Sequence, residues 1–210
     1  MDIVILLGAP GSGKGTIASR LAETHSNLKH VSSGDLLRGA VAKGTPAGIE
    51  AKDYMEKGKL VPDSLIAQMI KDVIAETTGD VTMLLDGFPR NVAQAEILEK
   101  TGAPIRSVVL VDVPDEVIQD RIAGRRTCPQ CKAGYHVTAL PPKVEGVCDK
   151  CGAALVIRKD DNPDTVKDRL VVYHSETEPV IAFYEAKGLL RKIDGNQGPV
   201  KNAEAFLAAM

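Results

Sequence analysis

The nine residues Gly8-Ala9-Pro10-Gly11-Ser12-Gly13-Lys14-Gly15-Thr16 constrain this chain more than any other stretch. An apolar run, Ile3-Val4-Ile5-Leu6-Leu7, precedes them, and a helical pattern from Ile17 to Ala22 follows. The order predicts strand, glycine loop and helix, which is the setting a phosphate-binding loop requires. Glycines let successive backbone N–H groups turn inward around a polyphosphate. The helix that follows directs its positive end at the same anion. Lys14 adds a full charge where β- and γ-phosphates would sit. The match to G-x-x-x-x-G-K-[ST] departs at one point: Gly15 takes the hydroxyl position and Thr16 comes one later. An ordinary glycine turn is the plainer alternative, but it explains fewer of these features.

With 210 residues, the chain is long enough for one α/β domain carrying insertions. Trp is absent and aromatics make up 3%, so the core must be built of Val, Ile, Leu and Ala. The net charge of −2 argues against a nucleic-acid-binding protein, whose footprint is usually basic. Any positive field must then be local, around a site. No apolar run reaches the length of a membrane span. Asp2 leads straight into a strand pattern, without the basic start of a signal peptide. These features predict a cytoplasmic protein, in which cysteines are poor candidates for disulfides.

Strands are predicted at Asp2–Leu7, Lys29–Val31, Val81–Asp86, Ser107–Asp112 and Leu189–Ile193. Leu65, Ile66, Met69, Ile70, Val73 and Ile74 follow the spacing of a buried helix face. Pro114 suits the first turn of another helix, which carries Val117, Ile118, Arg121 and Ile122. Asn162-Pro163-Asp164 reads as a helix start, with a capping Asn, Pro at the first position and an acid near the positive end. That helix runs toward Lys187-Gly188 with a kink expected at Pro179. Continuous apolar strands alternating with helices predict a parallel sheet covered on both faces. Two segments break the rhythm: Ser32 to about Val61, helical, polar and glycine-rich, and Arg126 to about Asp161, rich in Pro, Gly and Cys. Both read as insertions standing on the main domain, and mobile insertions are one way to exclude water from a phosphate-transfer site.

Cys128-x2-Cys131 and Cys148-x2-Cys151 are separated by sixteen residues, a spacing expected of a four-thiolate zinc site. Four thiolates close a tetrahedral shell, which is a structural arrangement and not a catalytic one. Iron or cobalt would also fit such ligands. Free thiols or two redox pairs are the alternatives. His136 could replace a ligand, but reads better as a surface or hinge residue. Few large apolar residues lie here, so metal binding would supply much of the local folding free energy. A zinc ribbon can also bind nucleic acid, yet this one lacks a basic excess with interleaved aromatics.

Val81–Asp86 reads as a buried strand ending in an acid, followed by Gly87-Phe88-Pro89-Arg90. An acid in that place, beside a phosphate loop, suits Mg²⁺ held through water. Together with Gly8–Thr16, several further stretches now stand in order: Ser33-Gly34-Asp35-Leu36-Leu37-Arg38, Gly58-Lys59-Leu60-Val61-Pro62, Asp86–Arg90 with Gln94, and Asp120-Arg121-Ile122-Ala123-Gly124-Arg125-Arg126. The four cysteines, Arg158-Lys159-Asp160-Asp161 and Arg169 complete the set. In this order the chain resembles the nucleoside monophosphate kinase family, and within it the long-lid, zinc-carrying bacterial adenylate kinases. The resemblance covers essentially the whole chain.

It implies a P-loop nucleoside-monophosphate-kinase fold: α/β, with a five-stranded parallel sheet flanked by helices. Residues 1–31, 62–125 and 163–210 would form the core. Residues 32–61 would form a monophosphate-binding insertion, and 126–162 a zinc-ribbon-like lid. The implied reaction is ATP + AMP ⇌ 2 ADP with Mg²⁺, transferred directly between nucleotides. Catalysis by positioning and electrostatics explains the many arginines, whose forks hold two oxygens at once. By resemblance, ATP lies on Gly11, Ser12, Gly13, Lys14, Gly15 and Thr16, with Arg121 over its adenine, Arg125 on its phosphates and Gln197 near the base. AMP is met by Ser33, Arg38, Lys59, Val61, Gly87, Arg90, Gln94, Arg158 and Arg169, with Gln94 reading the base edge. Lys14, Arg90, Arg125, Arg158 and Arg169 are the catalytic set, Asp86 holds Mg²⁺ through water, and Asp160 and Asp161 pair with arginines in the closed lid. Zn²⁺ would sit on Cys128, Cys131, Cys148 and Cys151. Nucleotides are the implied partners, with no nucleic acid and no membrane, and the implied state is a monomer.

Ser33 stands where Thr is common in the family; it keeps the hydroxyl. The rival readings are a UMP or CMP kinase, a GTP-dependent relative, a zinc-ribbon nucleic-acid-binding ATPase and a non-catalytic nucleotide sensor. Gln94 and the cysteine-bearing insertion disfavour the first, since such kinases usually carry Asn there and a short lid. A donor panel separates the second. The absence of a basic face disfavours the third, and the presence of every expected arginine disfavours the fourth.

Overall fold

A computed structural model describes all 210 residues of the chain. β1 (Asp2–Leu7) leads through the glycine loop into α1 (Lys14–Thr24) and then β2 (Leu28–Ser32). Helices α2 (Ser33–Lys43), α3 (Pro46–Glu56) and α4 (Asp63–Glu76) follow before β3 (Thr82–Asp86). Next come α5 (Val92–Glu99), β4 (Ile105–Asp112) and α6 (Asp115–Ala123). β5 (Arg125–Thr127) and β6 (Gly134–His136) form a separate antiparallel hairpin. The chain closes with α7 (Pro163–Val172), α8 (Pro179–Glu185), β7 (Leu190–Asp194) and α9 (Pro199–Ala209).

The main sheet has five strands in the order β2-β3-β1-β4-β7, all parallel. Side chains alternate faces along a strand. In β1, Ile3, Ile5 and Leu7 join one buried cluster while Val4 and Leu6 join another. Both faces are therefore dry, which is why these strands read as unbroken apolar runs. The five predicted strands appear, with ends displaced by a residue or two. No helix is long and apolar enough to cross a membrane.

Local chemistry sets the helix boundaries. Asn162 accepts from the Thr165 N–H at 2.9 Å, with Pro163 at the first helical position. Ser32, Thr45 and Asn91 cap α2, α3 and α5 in the same way; such a cap contributes about 1 kcal/mol. Between α7 and α8, residues Tyr173–Thr177 form a π turn in which the Glu178 N–H reaches back to Tyr173 O. The disturbance expected at Pro179 thus falls in the turn preceding it.

In α3, a side chain at Gly48 would stand 2.1 Å from Ala40 O. Only glycine lets this helix lie so close on the backbone of α2. The hairpin β5–β6 was not predicted. Its strands are three residues each, partly polar and without alternation, so periodicity could not find them.

Candidate active site

Because the strands are parallel, the loops leaving β1, β2 and β3 emerge at one edge of the sheet. A cleft of about 770 Å³ opens there. Gly11, Gly13, Lys14, Gly15 and Thr16 form part of its lining; Ser12 is fully buried just beneath. Gly13 caps α1 in a left-handed conformation, and no side chain takes the free N–H groups of that helix end. Those donors remain available to an anion. Lys14 Nζ donates to Gly8 O at 2.6 Å and Ala9 O at 2.8 Å. Burial pushes its pKa down to about 8, against the nearby charge of Asp86, and Arg90, Arg169 and Arg125 push it the same way.

Asp86 ends β3 and lines the cleft. Burial alone would raise its pKa, but the hydrogen bond from His30 and the charge of Lys14 hold it below the usual carboxylate range. A side chain at Gly15 would stand 3.3 Å from Asp86 Oδ2, so a residue with a Cβ there would crowd this oxygen. That gives a physical reason for glycine at the motif's hydroxyl position.

Arg38, Arg90, Arg125, Arg158 and Arg169 all line the same cleft. Arg38 Nη2 donates to Asp35 Oδ1 at 2.7 Å, and Arg90 Nε to Gly87 O at 2.8 Å. Asp160 accepts from Arg158 and from Arg169, each at 3.0 Å. Asp161, whose side chain is fully buried, pairs with Arg125 and lies 3.6 Å from Arg169. Burial would raise the Asp160 pKa, yet Arg158 and Arg169 hold it far below the usual range. Arg169 is pushed down to about 10 by burial, with Asp160 opposing and Arg125, Arg158 and Arg90 adding to the fall. These cations, each mostly buried, repel one another across the cleft. An incoming polyanion relieves that repulsion.

Arg121 spans two loops, donating to Ser12 O at 3.2 Å and Gly195 O at 3.0 Å. Ser33, Lys59, Val61, Gly87 and Gln94 also line the cleft. Ser33 Oγ donates to Gly87 O at 2.6 Å. Gln197 is not brought to the cleft: it is exposed, and its neighbours Gly198 and Pro199 form the lining instead.

The four cysteine sulfurs lie within 4.8 Å of one another, and no disulfide joins them. Two matching turns present them. Cys128 O accepts from Lys132 N, and Cys148 O from Gly152 N. Lys132 and Gly152 share a left-handed backbone, at φ 63° and 74°. This compact all-sulfur set fits a tetrahedral metal. Tyr135 Oη lies 3.5 Å from Cys148 Sγ and accepts from the Asp149 N–H at 2.8 Å. The Tyr135 hydrogen bond lowers the Cys148 thiol to about 6. Lys150, inside the second turn, pairs with Glu23 of α1 and ties this region to the main domain.

The family model of adenylate kinase matches residues 6–189. The chain belongs to the adenylate kinase family. It is 46% identical over 211 residues to the adenylate kinase of Caldicellulosiruptor bescii, covering 99% of this chain and 98% of the relative. The adenylate kinase of Syntrophobacter fumaroxidans is 48% identical over 196 residues, 91% of this chain and 92% of the relative. That of Lachnospira eligens is 46% identical over 198 residues, 92% of each.

Three site residues of this adenylate kinase family member escaped the sequence reading. His30 places Nε2 3.3 Å from Asp86 Oδ2, with Nδ1 3.2 Å from Ser19 Oγ. Asp63 accepts from Gln94 Nε2 at 2.7 Å. His136, expected at the surface or a hinge, lines the cleft; its Nε2 is buried without a partner while Nδ1 accepts from Thr138 N and Ala139 N. For His30 and Asp63 the partners lie 56 and 31 residues away, so no local pattern announces them.

Proposed function

We propose that this family member catalyses ATP + AMP ⇌ 2 ADP by direct transfer of one phosphoryl group, in the following way. ATP lies on Gly11–Thr16, with the free N–H groups of α1 and Lys14 on its phosphates, Arg121 over its base, and the Gln197 loop beside that base. AMP lies at the opposite end, its phosphate held by Arg38 and Arg90 and its base by Gln94, with Ser33, Lys59, Val61 and Gly87 around it. Lys14, Arg90, Arg125, Arg158 and Arg169 converge between the two. The observation that carries this reading is their convergence in one cleft with an excess of buried positive charge.

No side chain need form a bond to phosphorus. The work is positioning two polyanions and stabilising charge as it moves across the transferred group. Mg²⁺, when bound with the nucleotide, neutralises oxygens of the β- and γ-phosphates. Asp86, kept ionised by His30 and Lys14, would hold that ion through water. Residues 126–162 act as a lid and 32–61 as the monophosphate-binding insertion, on a core of 1–31, 62–125 and 163–210. Asp160 and Asp161 help hold the closed lid by pairing with Arg158 of the lid and with Arg125 and Arg169 of the core. Zn²⁺ on Cys128, Cys131, Cys148 and Cys151 would fix the lid's fold and take no part in transfer. The protein works as a monomer in the cytoplasm, a reading that rests on the resemblance to the long-lid bacterial kinases.

A substrate panel tests this reading: protein, Mg²⁺ and ATP with AMP, UMP, CMP or GMP, following ADP formation. Rapid turnover of AMP alone is expected. Activity confined to UMP or CMP would overturn the base-pocket assignment and leave the phosphate chemistry in place.

A further inference from the structure

Gln94 is 2% exposed and lines the cleft. Its Oε1 accepts from the Arg90 backbone N–H at 2.8 Å, and its Nε2 donates to Asp63 Oδ1 at 2.7 Å. A backbone N–H can only donate, and an ionised carboxylate can only accept. Turning the amide over would set donor against donor at Arg90 and acceptor against acceptor at Asp63. The hydrogen-bond partners therefore admit a single orientation, which is the proper basis for assigning an amide. Asp63 is itself held: Asn91 Nδ2 reaches its Oδ1 at 3.0 Å and its Oδ2 at 3.2 Å. Asn91 Oδ1 in turn takes the Gln94 backbone N–H at 2.8 Å. One carboxylate at the start of α4 thus fixes both the cap and the reading amide of α5.

A primary amide has two N–H donors and two acceptor lone pairs. With one of each engaged, one N–H and one lone pair remain, in a fixed spatial order. A 6-amino purine offers a donor at position 6 and an acceptor at position 1. A 6-oxo purine offers the reverse order. A glutamine free to turn would satisfy both, so Gln94 alone does not discriminate. We propose that Asp63 is a positioning residue for purine specificity: together with the Arg90 N–H it locks the Gln94 amide, which admits 6-amino purine monophosphates and excludes 6-oxo ones. The inference rests on the reading that Gln94 meets the base of the acceptor nucleotide.

The test compares kcat and KM for AMP, IMP and GMP in the wild type, Asp63→Asn, Asp63→Glu and Gln94→Leu. Asparagine can donate as well as accept, so it removes one of the two partners that oppose the turned amide and leaves only the Arg90 N–H. In Asp63→Asn the AMP/IMP ratio of kcat/KM should fall about tenfold or more, through KM, with kcat for AMP nearly unchanged. Asp63→Glu should restore part of the ratio. A higher KM for AMP with an unchanged AMP/IMP ratio would show a merely structural role and overturn the proposal. Asp63→Ser, which also donates and accepts, supplies the same ratio should Asp63→Asn fail to fold. If Gln94→Leu leaves the KM for AMP unchanged, the base-site reading fails, which is a result distinct from any given by the Asp63 variants.

Discussion

The glycine loop at the edge of the sheet and the cysteine turns beyond it are both tight backbone turns that gather functional groups. They differ in what holds them. The loop stands between two buried clusters of 19 and 18 residues on opposite faces of one sheet. The cysteine region has a cluster of three: Cys128, Tyr135 and Cys148. A fully buried large side chain contributes about 1.5–3 kcal/mol. One tyrosine and two cysteines cannot order some thirty-five residues against chain entropy of about 1–2 kcal/mol per residue. Where burial runs short, a metal on the four sulfurs would supply the difference. On this reading one chain uses two stabilising chemistries, and each can be removed alone.

Lys14→Met is the largest expected blow, and it falls on the sheet side. Turnover should drop by about 10²–10³-fold or more, with the circular dichroism spectrum and melting temperature retained. A variant of near-normal activity would remove Lys14 from the site. Stripping the metal with a chelator strikes the other side. Calorimetry should then show a lowered lid transition beside an unmoved core transition, with turnover at low temperature largely kept. A single transition shifting as a whole would break the comparison, because both regions would then share one stability.

Tyr135→Phe sharpens it. The ring remains and only the hydroxyl facing Cys148 is lost, so metal affinity in a chelator competition should weaken about 10–100-fold. Equal affinity would mean that the sulfur does not use this donor. A smaller effect is expected at Lys132, which holds the left-handed position that Gly152 fills in the matching turn. Lys132→Gly should stabilise the lid by about 0.5 kcal/mol, the left-handed strain relieved less the added entropy of glycine. A lid transition at or below the wild-type temperature would contradict this.

The smallest effect lies at His174, whose nitrogens face Asp115 at 2.9 Å and Glu178 at 3.0 Å. The hydrogen bond to Asp115, then that to Glu178, raises its pKa. A raised histidine pKa stabilises the fold fully below the unfolded value of about 6.5. That contribution is lost as pH rises through the folded value. The side chain is 46% exposed, so solvent screening keeps it to about 0.3 kcal/mol. His174→Gln should cost melting temperature at pH 5.5 and almost none at pH 8.5; an equal loss at both would exclude the charge.

The sheet was legible because both of its faces are dry, and dry faces write unbroken apolar runs such as Ile3–Leu7. The phosphate loop was legible because its geometry demands glycine at Gly11 and Gly13, with φ of 87° and 100°. The cysteine turns were legible because ligand spacing is set within each turn. What stayed hidden depends on pairs distant in sequence. His30 and Asp86 end up together because β2 and β3 are neighbours in register, with His30 beside Leu84. Asp63 reaches Gln94 because α4 and α5 pack together. The hairpin Arg125–Thr127 with Gly134–His136 owes its strands to each other and not to their own residues. Gln197 shows the opposite case: the resemblance implies a place near the base, but its side chain is exposed and its neighbours Gly198 and Pro199 line the cleft.

Lys14 answers to two carbonyls, Gly8 O and Ala9 O, of the very loop it serves. The cation has therefore left bulk water before any nucleotide arrives. On the proposed reading, nucleotide binding would exchange these carbonyl oxygens for phosphate oxygens. The loop keeps its curvature while it waits, since its own lysine spans it like a crossbar. Folding has already met the dehydration of this charge, so the affinity of a phosphate bound there would be spared that loss.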